Sequence, residues 1–382
     1  MNYLIPEFTG LGDMIQKTPM IRMISELDQD ARIYLIGDNR WGGLDVVKNS
    51  SFIENACNVV NLLNMELPEK YTNTDISVLY EKISRAQKKI LLDWLVSTKW
   101  DVFFDSHQSD VPPEFRKLID QSATGKVCRH LDIQDCIKQR EPSLFKQKKT
   151  AASIVSVPIL KGRHDIDANY DLLEYCLGYP FDRSYDTWTS LGKNQQILKN
   201  WDLKKGEYVC LQPGAANGAP TPKTWHPENF VDLCTTITQD RRKKVILVGD
   251  SGDLEHIISK RDWPIDVLNM AGKTSIEELG SLIRNAACVV AHDSGVMHLA
   301  NAMDVPLVAL YGPTDYTSTK PLGKKSVTVY SKTLAFAIMY KTNLSEKKLA
   351  EEYPDNSAMA GINVDDVMLA VSRLLSDYEF DA

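Results

Sequence analysis

The chain has 382 residues, 43% of them hydrophobic and 25% charged, with a net charge of −7. That length exceeds one compact core and suits two domains of roughly 150–200 residues each. The composition excludes extensive disorder, no apolar run approaches the ~18–20 residues of a membrane-spanning helix, and the acidic balance argues against nonspecific binding to nucleic acid.

The opening residues, Met1 to Glu7, lack the basic start and long apolar core of a signal peptide and read as a first β-strand over Asn2–Pro6. Directly after it, Gly10 and Gly12 make a flexible turn and Asp13 falls at or near a helix start. G-x-G-D is not the dinucleotide fingerprint G-x-G-x-x-G, because the third glycine is missing. Asp13 reads equally as an N-cap or as a carboxylate that takes a proton from a sugar hydroxyl. Lys17 reads as a surface residue or an acceptor contact.

Further strands are expected at Arg32–Gly37, Asp101–Asp105 and Ser153–Pro158, with a long helix across Ile76–Trp94 carried by Ile76, Leu79, Ile83, Ile90, Leu91 and Trp94. Tyr179–Lys205, polar and containing Pro180 and Gly192, contains the expected connection between domains. We place a first domain at 1–188, a linker at 189–205, a second domain at 206–362 and a terminal helix at 363–382.

The second half alternates more regularly. Apolar runs at Tyr208–Gln212, Val245–Gly249, Val267–Met270, Cys288–Ala291 and Pro306–Tyr311 alternate with helical periodicity at Phe230–Ile237, Leu254–Arg261 and Ile276–Ile283. This alternation implies a parallel sheet covered by helices on both faces, with ligands at the carboxyl ends of the strands. Two overlapping capping-box patterns in Thr274-Ser275-Ile276-Glu277-Glu278 mark one helix start. Val364–Leu375 should form a terminal amphipathic helix that docks on something. The architecture expected is α/β: two Rossmann-like, doubly wound parallel-sheet domains with the site in a cleft between them.

Two segments of the second half carry chemistry. In the first, the buried strand ending at Ala291 runs into His292-Asp293-Ser294-Gly295 and then a short helix containing His298. The first N–H groups of that helix have no partner within it and carry about half a positive charge, which suits a phosphate. Asp293 could equally be a plain cap, and His298 a core histidine satisfied by the backbone, one turn beyond Ser294. In the second, Gln212-Pro213-Gly214-Ala215 offers backbone amides at a strand end, and Lys223, beside Trp225, is either solvated or placed to reach a diphosphate.

Metal ligation finds little support, since no H-E-x-x-H, no site-loop D-x-D and no C-x-x-C occurs. The seven scattered cysteines read as small core residues in a reducing cytoplasm. A Ser-His-Asp hydrolase is equally weak without a G-x-S-x-G elbow.

Taken together, these segments resemble glycosyltransferase family 9, the lipopolysaccharide heptosyltransferases and their relatives. The likeness rests on Gly12-Asp13 with Thr18-Pro19, on Pro213-Gly214-Ala215 with Lys223, Trp225 and Pro227-Glu228, on Gly272-Lys273-Thr274-Ser275 through Leu279, and on Asp293-Ser294-Gly295 with His298-Leu299-Ala300, continuing to Gly312-Pro313-Thr314-Asp315. It is strong from Tyr208 to about Tyr330 and over the first 25 residues. The resemblance implies a GT-B fold and inverting, metal-independent transfer of a sugar, a heptose in the best-known members, from a nucleotide-diphosphate donor such as ADP-heptose. The acceptor would be a cell-surface glycan or lipid-linked glycan such as lipopolysaccharide core.

By the match, Asp13 looks like the family's general base and Lys223 like its phosphate or ribose contact. Thr274 falls beside the nucleotide base, Asp293 looks like the sugar-binding acid, and Gly12, Gly214, Ser294, Gly295 and His298 belong to the donor motifs. The resemblance implies no cofactor and a cytoplasmic protein in peripheral contact with the inner membrane. Pro6-Glu7 departs from the basic residue many relatives carry there, and Asp250-Ser251-Gly252-Asp253 gives no single counterpart of the family's ribose-binding acid. An epimerase or hydrolase of the same fold, a transferase acting on protein or another glycan, and a silent nucleotide-sugar-binding module are the alternatives.

Overall fold

The computed structural model describes residues 1–66, 80, 82–123, 125–131, 153–160, 162–215, 221–240, 243–333, 351–353 and 357–378. It falls into two compact units, Met1–Ser190 and Leu191–Ala382. The first contains β1 (Asn2–Glu7), β2 (Arg32–Gly37), β3 (Asn55–Asn58), β4 (Val102–Asp105), β5 (Lys126–His130) and β6 (Ser153–Val157), ordered β3-β2-β1-β4-β5-β6. The second contains β7 (Tyr208–Leu211), β8 (Lys244–Leu247), β9 (Val267–Asn269), β10 (Cys288–His292), β11 (Leu307–Tyr311) and β12 (Ser326–Tyr330), ordered β12-β11-β10-β7-β8-β9. All strand pairs are parallel.

Each sheet therefore starts in its middle, winds to one edge and then returns to fill the other. The order reverses between β1 and β4 in the first unit and between β7 and β10 in the second. Connections leaving the two central strands turn to opposite faces there, which opens a crevice at their carboxyl ends. The central strands β10 and β11 are buried along their whole length, as strands covered on both faces must be.

Several elements differ from the sequence expectation. The strands Asn55–Asn58 and Lys126–His130 have only two apolar residues each and gave no periodic signal, and Ser326–Tyr330, although Val327 and Val329 alternate with polar residues, was not among the expected strands. The helix expected over Ile76–Trp94 instead runs Arg85–Val96, because Ser84 and Gln87 form a capping box that starts it. Ile83 precedes that cap, Ile90 is exposed and Leu91 and Leu95 are the buried positions; Ile76 and Leu79 lie outside the described residues. The helix expected over Leu254–Arg261 starts earlier, at Ser251, under an Asp250–Asp253 capping box, ends at His256 and is followed by a 3₁₀ turn at Ile258–Lys260. Ser275 with Glu278 forms the capping box of the Ile276–Arg284 helix. The terminal helix Val364–Tyr378 packs Val367, Val371, Leu374 and Leu375 into the core of the second unit.

The Leu11–Leu27 helix carries Pro19 in its interior. Proline has no N–H to give the carbonyl four residues back, so Ile15 loses its ladder partner. Thr18 supplies a replacement, its Oγ1 donating to the Ile15 carbonyl at 2.7 Å. The same Oγ1 accepts from the Trp188 N–H at 3.0 Å, and the Trp188 indole donates to the Thr18 carbonyl at 2.9 Å. The Thr-Pro pair thus ties this helix to the end of its own unit.

Lys17 is neither a surface residue nor free to meet a ligand. It is fully buried, with Nζ 2.5 Å from Glu7 Oε2 and 3.0 Å from the Gln108 carbonyl. Burial raises the Glu7 carboxyl, while Lys17 and Thr9 pull it back down. Removing one member of a buried pair strands the other charge, at a cost of about 3–5 kcal/mol. Lys17→Met should therefore lose that much stability in urea denaturation, and adding Glu7→Gln should recover most of it. A loss below about 1 kcal/mol in the single variant would contradict the pairing.

Candidate active site

The carboxyl end of the β7/β10 reversal gathers most of the residues singled out in the second half. Leu211 ends β7, and Gln212 continues it by donating its N–H to the Val290 carbonyl at 3.0 Å. His292 ends β10, and the helix Gly295–Ala302 follows with Ser294 in the N-cap position. The Ser294 hydroxyl does not cap; it donates to Gln212 Oε1 at 2.6 Å. Asp293 is not the cap either. It is buried and receives the Tyr311 hydroxyl at 3.4 Å. Among the described residues no side chain caps this helix. The amides of its first turn point out of the end of the helix, and His298, also buried, lies one turn further in.

His292 staples together the two ends of the connection that follows β7. It is fully buried, and its Nδ1 lies 2.7 Å from the Gly214 carbonyl. Its Nε2 accepts the Trp225 N–H at 2.8 Å. The carbonyl can only accept and the amide can only donate, so the ring is neutral with its proton on Nδ1. Burial pushes its pKa down to about 4. Trp225, also fully buried, donates its indole N–H to the Ile362 carbonyl at 3.0 Å. The partly buried Lys223 therefore stands on a turn clamped from both sides: Thr224 N donates to the Thr221 carbonyl at 2.9 Å, and Thr221 N to Thr224 Oγ1 at 3.0 Å.

Gly214 has no room for a side chain. A Cβ there would lie 1.6 Å from Asp253 Oδ1. Asp253 is buried under this loop, among the described residues its Oδ1 has no hydrogen-bond partner, and burial with the Asp250 charge pushes its carboxyl up to about 7. Asp253 is thus the buried acid of the Asp250–Asp253 segment, while Asp250 is occupied as a helix cap. Thr274 stands further along the sheet, past β8, on the loop after β9. That loop is tied inward by Gly272, whose N–H donates to the Gly249 carbonyl at 3.0 Å in a left-handed conformation, φ 67°.

In the first unit the β1/β4 reversal carries a second polar cluster. Gly10 holds the N-cap position of the Leu11–Leu27 helix, so Gly12 and Asp13 lie within its first turn and Asp13 is not the cap. Asp13 accepts from Gln108 Nε2 at 3.2 Å. Burial is the main cause that raises its carboxyl; Lys17 lowers it and Asp165 raises it further. A raised carboxylate is a stronger base, provided the medium is basic enough to ionise it.

Sequence reasoning missed Gln108, Asp165, Gln212, Asp253 as the buried acid, and Tyr311. For His292 one signal was available, a polar ring closing an otherwise apolar buried strand next to Asp293. Gln108 follows the buried strand Val102–Asp105, yet its segment offers no periodicity or motif. Six cysteines are buried and free, and Cys136 lies outside the described residues. Among the described residues no three His, Cys, Asp or Glu side chains group as a metal site, and no helix is long and apolar enough to cross a membrane.

The His292 staple predicts a pH dependence. Its folded pKa, about 4, lies below the ordinary 6.5, so the unfolded chain binds the extra proton between those values. Stability is then fully present above pH 6.5 and falls as pH drops toward 4. His292→Leu should be less stable at neutral pH, since it strands a buried carbonyl and amide at about 1–3 kcal/mol each. Its stability–pH curve should also be flatter in this window by up to about 1.4 kcal/mol per pH unit. An unchanged slope would contradict the neutral staple.

The family model described as glycosyltransferase family 9 (heptosyltransferase) matches residues 138–349. The chain is 29% identical over 322 residues to lipooligosaccharide heptosyltransferase 2 of Campylobacter jejuni, covering 82% of this chain and 81% of that one. Matches to several other curated heptosyltransferases are local, and there the chain spans only 18–60% of the relative's length. Among solved structures, the glycosyl transferase family 9 protein of Veillonella parvula superposes with a TM-score of 0.71 at 17% identity, over 98% of this chain and 97% of that one. The Escherichia coli heptosyltransferase WaaC with ADP superposes at 0.66 and 18% identity, over 98% and 100%. These superpositions identify the two sheets as a GT-B-like fold. With the family model covering more than half of its length, the chain belongs to glycosyltransferase family 9.

Proposed function

We propose that this protein transfers a sugar, a heptose by the family's pattern, from a nucleoside-diphosphate donor to a hydroxyl of a lipopolysaccharide-type core, with inversion at the anomeric carbon. The observation that carries this reading is the uncapped start of the Gly295–Ala302 helix at the β7/β10 reversal. Ser294 turns its hydroxyl to Gln212 rather than to the helix, so the first amides remain available to a phosphate. Lys223, on its clamped turn, adds a full positive charge. Support for adenosine diphosphate as the leaving group comes from WaaC, which was solved with ADP.

In the proposed step Asp13 takes the proton of the acceptor hydroxyl. The hydroxyl oxygen forms its bond to the anomeric carbon as the bond to the diphosphate oxygen breaks, and the nucleoside diphosphate leaves with that electron pair. Lys223 and the Ser294–Gly295 amides stabilise the departing charge, the part a metal ion plays in other transferases. Asp293, desolvated and oriented by Tyr311, is assigned to the donor sugar's hydroxyls, and Thr274 to the nucleobase end. Gly12 and His298 are assigned to the donor-binding motifs. The acceptor would be met at the inner membrane's cytoplasmic face by peripheral contact.

Asp13→Asn should lower turnover of ADP-heptose with a heptose-free core acceptor by about 10²-fold or more, while calorimetry finds ADP affinity intact. Near-normal turnover would remove Asp13 as the base. Lys223→Ala and Gly214→Ala should both weaken ADP binding about tenfold or more, the first through lost charge and the second through displacement of the loop by Asp253. Turnover in excess EDTA should match that in its absence, and loss of activity restored by a divalent cation would contradict the metal-free leaving-group site. Hydrolysis of ADP-heptose at full rate without acceptor would favour a hydrolase instead.

A further inference from the structure

Asp13 belongs to a buried hydrogen-bond network that spans four elements of the first unit. Its orientation is fixed from the far end. Ser106 Oγ donates to Asn169 Oδ1 at 2.8 Å, which sets the Asn169 amide so that its Nδ2 donates to Gln108 Oε1 at 2.8 Å. That in turn fixes the Gln108 amide with Nε2 toward the helix bearing Asp13. Gln108 is buried, and Asn169 is completely so.

The Gln108 Nε2 carries two hydrogens but faces three acceptors: Asp13 Oδ1 at 3.2 Å, Asp165 Oδ2 at 3.1 Å and Gln16 Oε1, the closest. Two protons cannot fully satisfy three acceptors, so the carboxylates share an incomplete supply. Asp13 is thereby aimed, but it keeps capacity to accept from an incoming hydroxyl. We propose that Gln108 and Asp165 are the positioning pair of Asp13: Gln108 aims the carboxylate, and Asp165 competes for the same amide so that Asp13 stays available to the acceptor hydroxyl. This assignment rests on the reading of Asp13 as the base.

The charges around the pair make its effect readable. From the Leu11–Leu27 helix come Asp13 and Lys17, from β1 Glu7, from the turn after β4 His107, from β5 His130 and from the Asp165–Leu177 helix Asp165 and Asp171. His107 bridges Asp165 and His130, with Nε2 3.2 Å from Asp165 Oδ1 and Nδ1 3.1 Å from His130 Nδ1. His130 is pushed down to about 3 by burial and the His107 charge, and its Nε2 lies 3.0 Å from the Ala168 carbonyl. A hydrogen bond donated to a carboxylate favours its ionised form, as the Gln108 bond to Asp13 does by its geometry. Lys17 and Thr9 act in the same direction, whereas the Asp165 charge disfavours ionised Asp13. Removing each should move the acid limb of the rate profile in opposite directions, which loosened packing alone does not do.

The test measures kcat, KM for ADP-heptose and the pH profile for Gln108→Leu, Asp165→Asn and Asp13→Asn, and for each of the first two combined with the third. Gln108→Leu should lower kcat about 10- to 10²-fold, leave KM within about twofold and shift the acid limb to higher pH. The isosteric Asp165→Asn should shift it to lower pH. In the Asp13→Asn background, Gln108→Leu and Asp165→Asn should each change the remaining rate less than about twofold, since their effects pass through Asp13.

Normal kcat in Gln108→Leu, limb shifts of the same sign, or undiminished effects in the Asp13→Asn background would overturn the positioning pair while leaving Asp13 as the base. Full activity in Asp13→Asn alone would overturn the base itself, and the pair with it. If circular dichroism shows Gln108→Leu unfolded, Asp165→Asn decides: a downward limb shift that disappears in the Asp13→Asn background supports the pair, and any other result overturns it.

Discussion

The constraint from which the rest of this molecule follows is the reversal of strand order at the centre of each sheet. A parallel sheet that starts in its middle must send the connections of its two central strands to opposite faces. The carboxyl ends of β1 and β4, and of β7 and β10, therefore border a crevice. Backbone and polar groups at those ends must be satisfied by something other than the sheet. In both units the candidate site residues are what the chain places there.

The two units answer that constraint with different chemistry. At the β7/β10 reversal a neutral histidine takes up one carbonyl and one amide of the connection after β7, and a serine hydroxyl turns to a glutamine. Among the described residues the helix start there has no side-chain cap, and its amide donors make the place suited to an anion. At the β1/β4 reversal the surplus runs the other way. Glu7, Asp13 and Asp165 gather around Lys17, His107 and the single amide of Gln108, so acceptors outnumber donors. One site has spare N–H groups and the other spare carboxylate lone pairs, the complementary needs of a leaving diphosphate and a proton-losing hydroxyl.

Much of the second half was legible in the sequence because its strands are buried on both faces. Cys288–His292 and Leu307–Tyr311 read as apolar runs, and the polar turn that follows the first marks the site. The first half was less legible for a physical reason. Asn55–Asn58 is an edge strand and Lys126–His130 lies next to one; their membership comes from pairing with Arg32–Gly37 and Val102–Asp105 rather than from their own side chains. Lys17 shows the limit of reading charge as exposure, because this lysine of the Leu11–Leu27 helix found its partner ten residues earlier, on β1. Gln108 and His292 act through hydrogen bonds across the fold, with partners 95 and 78 positions away, and Asp253 lies close against Gly214, 39 positions away. Such pairings leave no local pattern.

The central claim is that the crevice between β7 and β10 holds the donor's diphosphate at the start of the Gly295–Ala302 helix. A crystal structure of the protein with ADP tests it most directly. The account predicts diphosphate oxygens within about 2.7–3.2 Å of the amide nitrogens of the first helical turn, with Lys223 Nζ in charge contact. ADP bound with its phosphates away from that helix start, and with Lys223 turned to solvent, would contradict it.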